Sequence, residues 1–102
     1  MTTIVMDMEV VDYDSFKRLW DEDRTQRGSL GVQTYKIFRP LDNPFEVILH
    51  YEVTDVETAE EVVAALRDML DAGPLGKVVF KPDFRICDEV TSGSYAGNGV
   101  GA

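Results

Sequence analysis

The sequence predicts an α+β domain of βαββαβ order, with four antiparallel strands in one sheet and two helices on one of its faces. Three observations carry this. A segment of period two opens the chain, and two segments of helical period follow Asp12 and Asp55 with two β-rich runs and a turn between them. The sheet so formed also has one face that mixes apolar and charged side chains, which suits neither open water nor a covering helix.

The first strand is read at residues 3–10, where Ile4, Met6, Met8 and Val10 alternate with Asp7 and Glu9. Asp12 can accept amide hydrogens of the next turn, and Tyr13, Phe16, Leu19 and Trp20 recur at helical spacing. This amphipathic helix is expected to end before Gly28 or Gly31. Residues 32–39 and 45–53 have β character, and Pro40-Leu41-Asp42-Asn43-Pro44 between them is turn chemistry, so they form a hairpin. Thr54 and Glu57 suggest a capping box for the second helix, whose stripe runs through Val56, Ala59, Val62, Val63, Leu66, Met69 and Leu70. Gly73, as a left-handed cap, and Pro74 stop it. Residues 77–81 read as a short edge strand or a connection, and Pro82 divides them from a last strand at residues 84–90. One domain at residues 1–90 is expected, with a mobile Gly/Ser-rich tail at residues 91–102.

At 102 residues and 44% hydrophobic composition the chain suits one domain with a modest core. Nineteen acidic against ten basic residues give a formal charge of −9, which repels phosphate backbones and anionic lipids, so neither nucleic acid nor membrane is an expected partner. The amino-terminal run has no basic region ahead of an apolar one, and no stretch approaches the roughly 18 apolar residues of a membrane span, so a cytoplasmic protein is expected. The single cysteine, Cys87, rules out an intrachain disulfide or thiolate cluster and reads as a buried, inert thiol.

The more apolar sheet face must lie under the helices. That assigns Ile4, Met6, Met8 and Val10, then Phe45, Val47, Leu49 and Tyr51, then Phe84 and Ile86, to the helix side, with the second strand undecided. The other face holds Val5, Asp7, Glu9, Ile48, His50, Glu52, Arg85, Cys87 and Glu89. A second sheet laid against it would bury the apolar members and leave the charged ones lining a cavity, so a homodimer with a small molecule in its lumen is expected.

Three segments also resemble a known group. Residues 10–17 (V-V-D-Y-D-S-F-K), the hairpin at residues 32–53 and the D-V-E-T-A-E-E-V that follows are similar to the small dimeric α+β barrel proteins related to antibiotic-biosynthesis monooxygenases, over roughly residues 3–90. The resemblance implies a ferredoxin-like βαββαβ subunit of a dimeric α+β barrel. The group includes cofactor-independent oxygenases of polyaromatic substrates, haem-degrading enzymes, isomerases and cyclases. Haem-degrading relatives place tryptophan on the sheet and histidine on a helix, whereas Trp20 falls in the first helix and His50 on a strand.

The candidate chemistry lies on the mixed face. His50, the only histidine, is read as a general base, and Asp7 on the neighbouring strand as the carboxylate that orients it. Arg85 and Arg39 are candidates for binding a substrate anion, and Tyr35 and Tyr51 for donating a phenol or walling a flat ligand. No close-spaced metal ligands and no glycine-rich phosphate loop are present, so neither a metal nor another cofactor is expected. The function that follows is a cofactor-independent monooxygenase-like enzyme acting on a small aromatic or polyketide-like molecule. The alternatives are a non-catalytic ligand-binding protein and a structural oligomerisation module.

Overall fold

The computed structural model describes residues 1–22 and 24–95, the side chains of residues 24–26 excepted. Its elements are β1 (Thr2–Val10), α1 (Tyr13–Glu22), α2 (Arg24–Ser29), β2 (Thr34–Phe38), β3 (Glu46–Val53), α3 (Val56–Ala72), a 3-10 turn (Pro74–Lys77) and β4 (Val79–Asp88). The strands form one antiparallel sheet in the order β2-β3-β1-β4. This is the predicted architecture, with β1 and β3 at the centre and α1 and α2 falling in the first predicted helical segment. No helix among the described residues is long and apolar enough to cross a membrane. Residues 91–95 have no regular structure, and the remainder of the expected tail lies outside the described residues.

Local chemistry sets the boundaries. Asp12 accepts the Ser15 N–H at 2.7 Å, as expected for a helix start. The cap of α3 is Asp55, which takes the Thr58 N–H at 2.7 Å from extended backbone; the Thr54–Glu57 box is not formed, because the helix begins one residue later than that spacing needs. α2 closes with a Schellman motif: Val32 N–H donates to the Arg27 carbonyl, Gly31 N–H to that of Gly28, and Gly31 takes φ +106°. Gly73 is extended at φ −99° rather than left-handed. A Cβ there would lie 2.7 Å from the Met69 carbonyl oxygen, so the position requires glycine for space.

Pro82 does not divide the last strand. β4 runs continuously along the sheet edge, and between the Asp7–Asp83 and Glu9–Phe80 pairs it carries one extra residue. This bulge, with Lys81 at φ 51°, accommodates a residue without an N–H on an edge strand. It also restores the alternation on either side of it. Val79 and Phe84 face the helices, while Asp83 pairs with Asp7 on the other face.

The core lies between sheet and helices. β1 and β3 contribute Ile4, Met6, Met8, Val10, Val47, Leu49, Tyr51 and Val53; α1 contributes Phe16 and Trp20, and α3 Ala59, Val62 and Leu66. Two expectations are corrected here. Phe45 falls outside β3 and is exposed, and Cys87 is exposed on edge strand β4 rather than buried.

Candidate functional site

The register arranges the uncovered face in rows across β2, β3, β1 and β4. One row is Thr34–Glu52–Thr3–Cys87, the next Lys36–His50–Val5–Arg85, and the third Phe38–Ile48–Asp7–Asp83, with Glu46 beside Glu9 beyond. His50 therefore stands opposite Val5 and Asp7 opposite Ile48, which puts both His50 and Glu46 on diagonals from Asp7; no hydrogen bond or ion pair joins Asp7 to His50 among the described residues. Diagonal neighbours in a sheet are about 7–8 Å apart. His50 instead meets the Phe38 ring edge-on at 4.9 Å. Asp7 shares a hydrogen bond with Glu46, which together with desolvation and the Asp7 charge raises the Glu46 carboxyl above its ordinary range. Arg85 lies on this face as expected, exposed, with its Nε 3.8 Å from Asp83.

Tyr35 and Arg39 do not belong to this face. Tyr35 pairs with Tyr51 in the register, so β2 turns its Tyr35–Ile37 side to the helices. There Tyr35 packs edge-on against Trp20, 4.8 Å between centroids, and the Arg39 guanidinium lies 4.4 Å above the Tyr13 ring. Alternation left the parity of β2 open. The inter-strand pairing decides it.

On the helix side the structure joins Tyr51, a candidate phenol, Trp20, expected in the core, and Arg27 in one polar network. Trp20 Nε1–H donates to the Tyr51 hydroxyl at 2.7 Å, and both side chains are fully buried. Arg27, only 3% exposed, donates from Nη2 to the Trp20 carbonyl at 2.7 Å, and its guanidinium lies 3.6 Å over the Trp20 ring. The arginine donates to a carbonyl of α1 and stacks on the most electron-rich ring type. Burial pushes the Tyr51 phenol up to about 12, against the opposing pull of the Arg27 charge and the Trp20 hydrogen bond. Tyr51 is thus a neutral phenol at physiological pH. No other hydrogen bond of its hydroxyl is found among the described residues, so its proton can be donated.

These groups border an interior cavity of about 10 Å³, whose other walls include Met6, Met8, Phe16, Leu66 and Met69. Met69 also lines an open groove of about 570 Å³ between the end of α2 and α3, with Ser29, Leu30, Ala65, Asp68, Ala72 and Gly73. The groove has the size of a small-molecule site, and the interior supplies the convergent polar groups. Among the described residues no carboxylate or imidazole lines the interior cavity. Among the described residues no three His, Cys, Asp or Glu side chains are placed to hold a metal ion.

The sequence signal for this network was faint. Trp20 and Phe16 follow the helical stripe of any core helix, and Arg27 stands among polar residues just before a glycine.

No protein-family model and no curated protein sequence matches this chain. Solved structures do. SnoaB, a cofactor-independent oxygenase from Streptomyces nogalater, superposes with a TM-score of 0.72 at 13% identity, over 89% of this chain and 94% of that one. A dimeric ferredoxin-like protein from an uncultured marine organism gives 0.63 at 18% identity, over 89% and 96%. A candidate antibiotic biosynthesis monooxygenase from Deinococcus radiodurans gives 0.60 at 10% identity, over 95% and 100%. At such identities the likeness concerns the fold: the chain has the ferredoxin-like α+β fold of the antibiotic-biosynthesis-monooxygenase-like group, as its residue pattern implied.

Proposed function

We propose that this protein is a homodimeric, cofactor-independent monooxygenase-like enzyme that acts on a small aromatic or polyketide-like molecule. The observation that carries the reading is the buried Tyr51–Trp20–Arg27 network beside the interior cavity. A neutral phenol donor and a guanidinium, both held in an apolar interior, are what an enolate or phenolate oxygen needs. In this reading the substrate is an aromatic ketone with an activated methylene. It lies along the groove, and Met69, a flexible side chain common to groove and cavity, swings aside to admit the ring.

Loss of one C–H proton gives an enolate whose oxygen rests on Tyr51 and Arg27. Its carbon adds dioxygen, the peroxide takes up a proton, and elimination of water leaves a new carbonyl. One oxygen atom ends in the product and the other in water. No carboxylate or imidazole among the described residues lines the cavity, so the C–H proton passes to water in the groove, helped by the acidity that the oxyanion contacts lend the substrate. Dimerisation is part of the reading because Phe38, beside Ile48, and Phe80, opposite Glu9, are exposed on the uncovered face, and because a structure of the same fold is dimeric.

Oxygen uptake with anthrone and related activated aromatic ketones tests this. Tyr51→Phe is expected to lower kcat about a hundredfold, the usual effect of removing one oxyanion donor. Uptake indifferent to Tyr51→Phe and to Arg27→Met would take the reaction away from this site. A second reading, a protein that binds such molecules without turning them over, draws on the lack of carboxylate or imidazole around the cavity among the described residues. It predicts ligand-dependent thermal stabilisation with no oxygen consumed.

A further inference from the structure

The groove between the end of α2 and α3 is open because the side chains along it are small. Ala65, Met69 and Ala72 recur on α3 at spacings of four and three, so they form one stripe, which Gly73 continues past the helix end. Two alanines and a glycine leave a space of about 570 Å³, which Leu30 bounds from the other side. Asp68 stands on the same face of α3, about one turn from both alanines. It is exposed at the lip, whereas Met69 is half-buried on the floor. The groove belongs to the helices, so a second copy laid on the uncovered sheet face leaves it open.

Among the described residues Asp68 is the only ionisable group lining the groove, and its carboxylate has no hydrogen bond or ion pair. The cations around it are turned elsewhere. The Arg67 guanidinium lies 4.6 Å over the Phe84 ring, against β4, and Arg27 on α2 is buried on the Trp20 carbonyl and ring. Lys77 belongs to the 3-10 turn and does not line the groove. Asp71, the next acid along α3, and the formal charge of −9 add to the negative potential at the lip. A ring seated on Leu30 and Met69 would displace water from beside the carboxylate, which strengthens its attraction for a cation and its repulsion of an anion.

We infer that the groove takes a flat aromatic ketone bearing an ammonium group, with its rings on Leu30 and Met69 and its ammonium on the Asp68 carboxylate. The inference rests on the groove of the proposed function and names the class of molecule that the groove selects. Asp68 determines specificity there, favouring a cationic ligand over a neutral one and a neutral one over an anion.

The test is quenching of the fluorescence of Trp20, the only tryptophan, by three anthraquinones that differ at one ring position, in an aminomethyl, a hydroxymethyl or a carboxylate group. The amine is expected to bind about tenfold tighter than the carboxylate, with the alcohol between them and the gap narrowing in added salt. Asp68→Asn should bring amine and alcohol within about twofold of each other, with unchanged circular dichroism. Asp71→Asn, outside the groove lining, should keep the wild-type order, and Ala72→Phe should weaken all three ligands by filling the groove. Equal affinities in the wild type, or a preference for the amine that survives Asp68→Asn, would overturn the inference. So would an equal loss of preference in Asp71→Asn, which would assign it to net charge, or binding indifferent to Ala72→Phe. Oxygen uptake from anthrone separates this inference from the reaction on which it builds. Uptake without charge preference removes the ammonium site and keeps the reaction; a charge preference lost in Asp68→Asn, without uptake, keeps the ammonium site and removes the reaction.

Discussion

Tyr51 and Trp20 hold one hydrogen bond between two fully buried side chains, and the consequences of breaking it are calculable. Tyr51→Phe leaves the Trp20 N–H without its acceptor in an apolar interior, at a cost of about 1–3 kcal/mol, measurable by urea unfolding. The same phenol gives the protein an alkaline limit. Its folded pKa, about 12, lies above the ordinary value of 10.0, so its contribution is complete below pH 10 and is lost as pH rises through 12. Unfolding followed by tryptophan fluorescence should show this destabilisation above pH 10 in the wild type and not in Tyr51→Phe. Asp12 and Asp55 act in the opposite sense. Backbone hydrogen bonds from Ser15 and Thr58 hold their carboxyls below the ordinary 3.8, so the caps contribute above that value and are lost as pH falls through the lower, folded pKa.

Elements depend on a few close backbone approaches. Gly76, in the 3-10 turn after α3, is the tightest: a Cβ there would lie 1.9 Å from the Leu70 carbonyl oxygen. Because the obstacle is backbone, Gly76→Ala should destabilise by at least about 2 kcal/mol and displace Leu75 from the core, seen as lost amide protection in the last turn of α3. In β4 the bulge holds Lys81 in the left-handed region, which costs a residue with a Cβ about 1–2 kcal/mol. A Lys81→Gly variant should equal or exceed the wild type in thermal stability, whereas Lys81→Val should fall below it. Both results would show that the bulge, rather than the exposed Lys81–Glu9 pair, matters at this position.

At the scale of the molecule, a 102-residue chain with one sheet face uncovered has apolar surface left to bury. Light scattering at micromolar concentration should give twice the chain mass. Ile48→Lys, at the middle of the uncovered face, should give a monomer, while Leu41→Lys at the fully exposed hairpin tip should leave the dimer intact. A monomeric wild type would remove the homodimer from the proposed function and leave the interior site standing, since Tyr51, Trp20 and Arg27 all belong to one chain.

The sequence by itself determined the element order, the helix-facing residues of β1 and β3, and the mixed character of the opposite face. Those depend on period and local chemistry, which a single segment carries: Ile4, Met6 and Met8 alternate whatever lies beside them, and Asp12 needs only the amide of Ser15 to cap α1. Only the tertiary structure decided which side β2 presents, that Asp7 meets Glu46 instead of His50, and that Pro82 sits in a bulge within one strand. These are questions of register, fixed by pairing between distant strands. The Tyr51–Trp20–Arg27 network is of the same kind. Its members lie on β3, α1 and α2, and although Tyr51 is a candidate phenol from the sequence, Trp20 and Arg27 taken alone read as a core and a surface residue. Their shared chemistry exists only once the helices close over the sheet.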